Sequence, residues 1–398
     1  MPLLSEFLPI VLGQKTMQKY SLTLPEDKKG VSQIYRKDLN PTIANEFATA
    51  AFRFGHSLIP NMFQTSQHAI RTKNRCPLMG NFFQFQQFVI GDDTSGKAWH
   101  NLLQGISIQQ SPAMDASMNN NVLDFLFCDG EHEQCHIPGG FGQDLGARNI
   151  QRGRDHGIPG YNKYREYCKL EKIQNLTEDG RPSNINIENW KNILRAYQNG
   201  NVDDIDLFVG GLAETSLPRA LVGETFACIL GEQFQKLKEG DRFFFTLHSN
   251  FGPDQTKGLP PNLKKFVRDR SLGNILCQHT NMATMPAEVM LLGGQETACP
   301  SIVAQMDSLR RDLLENICIE ERTDFNGGDI GYIGDIDSSL TCSCRCRKDA
   351  DCTFFTWNAA NNLCILKNTT DEGRKSHSSA FSGREDCCVE DLLTEGKF

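Results

Sequence analysis

The chain has no long apolar run. No stretch of its 398 residues approaches the ~20 consecutive apolar residues that a membrane-crossing helix needs, which excludes a helical membrane span. It also has no excess of positive charge. Lys and Arg number 41 against 49 Asp and Glu, a net charge of -8, so the electrostatic footprint of a nucleic-acid binder is missing. No tandem repeat is present, which excludes a solenoid or propeller. The first residues, Met1-Pro2-Leu3-Leu4-Ser5-Glu6, carry neither the basic start, the apolar centre nor the small-residue cleavage site of a secretory leader. What remains is a globular composition, 39% hydrophobic and 23% charged, with length for a large core or for two to three domains.

Cysteine is present in excess. There are 15, and eight of them lie at or after Cys318. That density reads as disulfides formed in an oxidising compartment, and the sequons Asn175-Leu176-Thr177 and Asn368-Thr369-Thr370 agree with it. A secreted protein without a leader implies that further residues precede Met1, which is the expectation here. A cytosolic protein with free thiols is the alternative.

Residues 1–295 read as one mainly helical unit. Phe47, Ala51, Phe54, Leu58 and Met62 recur at steps of three and four, which predicts a single helix over 43–62 with Pro60 near its end. Helices are also expected over 190–197 and 218–237. The segment 63–120 is looser, and its Phe82, Phe83, Phe85 and Phe88 read as core. Leu291-Leu292-Gly293-Gly294-Gln295 marks a link, followed by an amphipathic stretch from Ile302 to Leu314. Beyond Cys318 the chain is strand-like. Cys352 to Trp357 alternates as a half-buried strand, and 358–362 reads as a turn. The expected division is 1–295, a linker at 296–317, a module at 318–388 and a tail at 389–398.

Two segments carry the chemistry: Ala51-Phe52-Arg53-Phe54-Gly55-His56 and Arg148-Asn149-Ile150-Gln151-Arg152-Gly153-Arg154-Asp155-His156-Gly157. Arg53 and His56 share a helix face. Gly55 leaves room beside the imidazole for something large and flat. Imidazole is a common axial ligand of haem iron, and its other nitrogen needs an acceptor that fixes the tautomer, a role an amide oxygen such as that of Asn149 fits. The guanidinium of Arg53 suits a carboxylate at a rim. A helical histidine is more often structural, so spacing alone leaves this set weak.

These segments, together with Phe7-Leu8-Pro9-Ile10-Val11-Leu12-Gly13, Leu207-Phe208-Val209-Gly210-Gly211-Leu212, Cys228-Ile229-Leu230-Gly231-Glu232-Gln233-Phe234 and Asp241-Arg242-Phe243-Phe244, resemble the animal haem peroxidases of the peroxidase–cyclooxygenase superfamily, peroxidasin-like members above all. The resemblance covers about residues 5–290 in family order. It implies a mainly α haem-peroxidase domain, incomplete at its N-terminal side, that uses haem b and hydrogen peroxide to oxidise a small donor. His56 would be the proximal iron ligand, Arg53 would meet a haem propionate, and Asn149 would bond the far nitrogen of His56. Thr49, Gly55, Leu145 and Arg152 would line the pocket, while Arg154, Asp155 and His156 would buttress the turn. A catalytic base at His156 is the lesser alternative. A fatty-acid oxygenase is another, with no radical tyrosine in a fitting context.

Peroxide cleavage also needs a general base and a cation on the opposite face. The family carries both, and its calcium loop, before the Phe-Leu-Pro-Ile-Val-Leu-Gly segment, which here begins at Phe7. This chain is therefore expected to hold the proximal side only, without the calcium site. Loss of acid–base catalysis alone costs ~10²–10⁴-fold, so residues 1–398 by themselves are expected to be inactive or nearly so. His68 and His100 offer no motif for a distal replacement.

The tail resembles a PAN/apple module, a small disulfide-rich α+β domain that binds proteins or glycans. Cys318, Cys342, Cys346, Cys352, Cys364 and Cys387, with Asp324 to Ile330, Phe355-Thr356-Trp357 and Cys364-Ile365-Leu366, carry that likeness. It implies the pairs Cys318–Cys387, Cys342–Cys364 and Cys346–Cys352, with Cys344 and Cys388 as extras. A zinc site at Cys342, Cys344 and Cys346 is disfavoured by their spacing. In the larger unit the family likeness implies Cys168–Cys228 and Cys277–Cys299. Cys128 and Cys135 are read as a bridge rather than as zinc ligands with His132 and His136, and Cys76 is left over. The second function class is a secreted, non-catalytic interaction protein built on a decayed peroxidase scaffold plus this module.

Overall fold

The structure is a computed structural model. It describes residues 2–24, 35–65, 75–79, 81–83, 97–128, 142–246, 261–280, 282–291, 293–306, 308, 319–325, 327–369 and 374–384. Phe85, Phe88, His68, His132, Cys135, His136, Cys318, Cys387 and Cys388 lie outside these residues. Two compact units emerge. One comprises Met1–Gly258 and Arg270–Cys299, the other Leu259–Asp269 and Pro300–Phe398.

The first unit is built from helices. α1 (Leu8–Lys19) opens with Pro9 in its first turn, where a missing N–H costs nothing. It buries Leu8, Val11, Leu12 and Met17. At Gly13 the backbone turns to φ 71°, a conformation that favours glycine. The stretch of chain at Pro218–Val222 passes here, with Leu221 N donating to the carbonyls of Ile10 and Val11.

α2 (Asn45–Thr49) is short. A single helix over 43–62 was the expectation, and the structure corrects it: Ala50 adopts φ -137°, ψ -69°, and a 3-10 helix follows over Ala51–Leu58. The buried positions explain the change. Ala51, Phe54 and Ser57 are the ones that face inward, and steps of three match the three-residue turn of a 3-10 helix.

α3 (Leu145–Asp155) is capped by the Asp144 carboxylate, which accepts from Ala147 N, and buries only Asn149 and Gly153. α4 (Tyr161–Tyr167), α5 (Ile187–Ala196), α6 (Leu207–Ala213) and α7 (Glu224–Glu239) complete the helical core. Trp190, Tyr161, Phe226, Leu207 and Leu230 are among its largest fully buried side chains. The expected 218–237 helix thus starts later, after Gly223. Cys168–Cys228 ties α4 to α7, and Cys277–Cys299 closes the C-terminal part. Cys128 is also disulfide-bonded, so it is not a free zinc ligand. Within 63–120 there are a short antiparallel ladder, Met62–Gln64 with Arg75–Pro77, and a helix over Lys97–Ile108. Phe83, expected in the core, is 56% exposed and rests against Phe127.

In the second unit residues 300–306 are helical; most of the rest of the expected 302–314 stretch lies outside the described residues. A five-stranded antiparallel sheet follows, made of β1 (Ile319–Phe325), β2 (Asp329–Ile333), β3 (Phe354–Asn358), β4 (Leu363–Lys367) and β5 (Arg374–Arg384), in the order β1-β5-β3-β4-β2. α8 (Ser339–Arg347), capped by Ser338, is stapled to β4 by Cys342–Cys364 and held at its end by Cys346–Cys352. These are two of the three implied pairs; the third lies outside the described residues. Cys344 is disulfide-bonded as well. Phe355, Ile336, Ile319 and Leu366 pack around these sulfurs. The buried ammonium of Lys367 bonds to Asp329, which also accepts from Tyr332 Oη.

Candidate functional site

The 3-10 helix decides where the site's cationic and imidazole groups stand. With three residues per turn, positions i and i+3 eclipse, so Arg53 and His56 project from the same side. α3 supplies the partner. Asn149 is 0% exposed, and its amide sits between the two: Arg53 Nη1 donates to Asn149 Oδ1 at 2.9 Å, and Asn149 Nδ2 lies 2.8 Å from His56 Nδ1. Arg53 Nε donates to the Ala48 carbonyl at 2.9 Å. The guanidinium thus spans the break at Ala50.

In this arrangement Arg53 holds the single amide oxygen, so the amide offers its NH₂ to the ring. Nδ1 then accepts, and the ring proton resides on Nε2. Burial, and then the charge of Arg53, lower the His56 pKa, opposed by the Asn149 contact. The imidazole is therefore neutral near pH 7, the form that has a lone pair to give to a metal.

Arg53 itself is held below the usual arginine range by burial and by the charge of Arg152. Arg152 pairs with Asp155 at 3.2 Å on the surface. Arg53 makes no ion pair among the described residues; both of its partners are neutral oxygens. Two guanidinium groups in one field, one lacking an anion, make a place for a carboxylate. A methyl placed on Gly55 would meet nothing within 4 Å, so the helix is open beside His56.

The remaining expected positions sort as follows. Thr49 is buried, and its hydroxyl donates to the Asn45 carbonyl at 2.7 Å. Leu145, half-buried, opens α3 one turn before Asn149. Arg154 is bidentate to Asp206 at 2.9 and 2.7 Å, Asp206 also accepts from Tyr197 Oη at 2.7 Å, and His156 Nδ1 lies 3.4 Å from Asn45 Oδ1. These groups fasten α3 to its neighbours, and none bonds to His56. His100 is half-buried on its helix.

Two features carried no signal in the sequence. One is a buried cluster: Glu214 accepts from Tyr161 Oη at 2.5 Å, from Thr225 N at 2.8 Å and Oγ1 at 2.6 Å, and from Arg165 Nη1 at 3.1 Å. The other is a cavity of about 400 Å³ lined by Asn149, Gly153, Arg154, Tyr197, Asp206 and others. Neither His56 nor Arg53 lines it, so it is not the imidazole's open side.

Comparison with known proteins puts this geometry in context. The sequence profile of the animal haem peroxidases matches residues 3–290, and that of the PAN domain matches 319–388. Chorion peroxidase of Drosophila melanogaster is 32% identical over 286 residues, which are 71% of this chain and 32% of that protein. The peroxidasin homolog pxn-2 of Caenorhabditis elegans is 35% identical over 326 residues, 77% of this chain and 23% of that protein. This chain therefore spans a third or less of either relative. Among solved structures, peroxidase A of Dictyostelium discoideum superimposes with a TM-score of 0.50 at 29% identity, covering 69% of this chain and 45% of that one.

Proposed function

The chain belongs to the animal haem peroxidase family, and from that premise we propose that it forms the iron-holding side of a haem peroxidase that oxidises a small donor with hydrogen peroxide. The observation that carries this reading is the contact of His56 with Asn149, in a cluster that also contains an arginine with no anionic partner among the described residues. The family implies haem, and the donor set fits it: a neutral imidazole, an open glycine face, and two guanidinium groups for carboxylates. Haem, when bound, supplies the iron at which peroxide is reduced.

Everything else falls to the protein. His56 offers its Nε2 lone pair once the ring proton is on Nδ1. Asn149 then has to present its oxygen to that proton, as imidazole ligands generally require. Arg53 competes for the same oxygen, and a propionate carboxylate is the stronger acceptor for a guanidinium. Arg53 and Arg152 would form the cationic rim, while Thr49, Gly55 and Leu145 would line the pocket. The general base and cation that peroxide cleavage needs belong, by the family resemblance, to sequence ahead of the Phe7 segment.

The PAN-type part of the second unit, residues 319–388, would be a module for a protein or glycan partner. The disulfides at Cys168–Cys228, Cys277–Cys299, Cys342–Cys364 and Cys346–Cys352 support an extracellular location; no described helix is long and apolar enough to cross a membrane. No comparison favours the non-catalytic alternative over this reading.

The test adds haemin to residues 1–398 and follows the Soret band and guaiacol oxidation. The expected result is a Soret shift that His56→Ala abolishes, with turnover close to that of free haemin. A shift unchanged in His56→Ala would overturn the ligand assignment. Robust turnover lost in that variant would overturn the claim that the opposite face is needed.

A further inference from the structure

The sequon Asn175-Leu176-Thr177 lies outside the site described above, and hydrogen bonds hold its local structure. Thr177 caps a 3-10 turn over Glu178–Gly180: its hydroxyl oxygen accepts from Gly180 N at 3.2 Å and donates to Asn175 Oδ1 at 2.6 Å. The Thr177 carbonyl accepts at 2.9 Å from the indole Nε1 of Trp190, which is fully buried. Leu176 packs against the helical core. The backbone of the sequon is thus anchored from below, while the Asn175 side chain stands exposed. Its Oδ1 is engaged by Thr177, and its Nδ2 makes no hydrogen bond among the described residues. Nδ2, on this exposed side chain, is the atom that N-glycosylation modifies. Cys168, a few residues earlier, is already joined to Cys228, so the same loop carries the chemistry of an oxidising compartment. At the other sequon Asn368 is exposed, but Thr370 lies outside the described residues, so no case of this kind is made for it.

We propose that Asn175 carries an N-linked glycan. The proposal rests on the extracellular location argued above. In the transfer, Nδ2 loses one proton and bonds to C1 of the first N-acetylglucosamine. The bond between C1 and the diphosphate oxygen of a lipid-linked oligosaccharide donor breaks, and the lipid diphosphate leaves with the electron pair. There is no redox change. The bulky product points into solvent, so it displaces no packed atom and shields the surface around the Glu178–Gly180 turn.

The experiment expresses residues 1–398 behind an added secretion leader in a eukaryotic secretory host. The leader forces the route, so the result is independent of where the chain travels natively, and that question is read separately by fractionating source cells and their medium. Peptide N-glycosidase digestion in H₂¹⁸O should convert Asn175 to labelled aspartate, and it should act without denaturant because the asparagine is exposed. Asn175→Gln and Thr177→Val should each remove one glycan step on a gel, and Thr177→Ser should retain it. Transfer precedes export, so retained chain in the lysate is equally informative. An unlabelled Asn175 peptide, from chains in which Cys168–Cys228 has formed, overturns the proposal.

Discussion

Two charged clusters join helices in the first unit, and they differ in how completely their bonding is satisfied. Glu214 is closed. Its carboxylate accepts four bonds, from Tyr161, Arg165 and Thr225, and its side chain is 0% exposed. The Arg53, His56 and Asn149 cluster is open. Among the described residues Arg53 has no anionic partner, the one amide of Asn149 is shared between Arg53 and His56, and a methyl on Gly55 would meet nothing within 4 Å. A buried ionic group that is fully matched serves the fold; one left with spare bonding capacity is poised for something the chain does not itself contain.

Mutations can break this contrast. The largest effect is expected at Glu214→Ala, which leaves buried Arg165 only the part-exposed Glu224 carboxylate at 3.1 Å and should cost about 3 kcal/mol in urea unfolding, with little change for haem beyond that. A loss near zero would place the two clusters in one class. Asn149→Ala should do the reverse: stability falls by about 1 kcal/mol, while haem affinity, read by Soret titration, falls ~10–100-fold. Arg53→Gln should weaken haemin on the order of tenfold and leave the affinity for haemin dimethyl ester unchanged, because the ester offers no carboxylate; equal losses for both would remove the propionate from the argument.

The smallest effect belongs to a partly closed pair in the second unit. Burial raises the Asp329 pKa, but the bonds from Lys367 and Tyr332 outweigh it, and the net shift is downward. A depressed carboxyl contributes stability above its unfolded value of ~3.9 and loses it as pH falls through the folded value. Asp329→Asn should therefore lower the unfolding free energy at pH 7 by less than ~1 kcal/mol, read as a lower urea midpoint, with the difference from wild type closing below about pH 4. A gap that persists at low pH would argue that packing, not charge, is at stake.

Part of this was readable in the residues. The strand expected over 352–357 runs over Phe354–Asn358, although its burial does not alternate, since Phe355 and Thr356 are both buried; what marked it is its run of aromatic and β-branched residues. The helix break at Ala50 was not readable. Phe47, Ala51, Phe54 and Leu58 suit a 3.6-residue period well, and what favours the 3-10 turn is that polar Ser57 is buried, which a hydrophobicity pattern reads as outward. Phe83 failed for the opposite reason, an apolar residue left at the surface. Glu214 was invisible because its partners Tyr161 and Arg165 lie 53 and 49 residues away, and nothing local marks a carboxylate that distant donors will surround. At Arg53 the sequence conveyed a charge near a histidine. That the charge is spent on an amide oxygen is a fact of geometry.

The three-residue turn around His56 also sets a phase rule. On an α-helix, inserting one residue rotates the downstream side chains by roughly 100°, and no small insertion restores the face well. On a 3-10 helix the rotation is about 120° per residue, so a change of one or two swings the imidazole a third of a circle from Asn149. A change of three restores the face but carries the imidazole ~6 Å along the axis, too far for its 2.8 Å contact with Asn149, so the spacing between Ala51 and His56 tolerates neither kind of change.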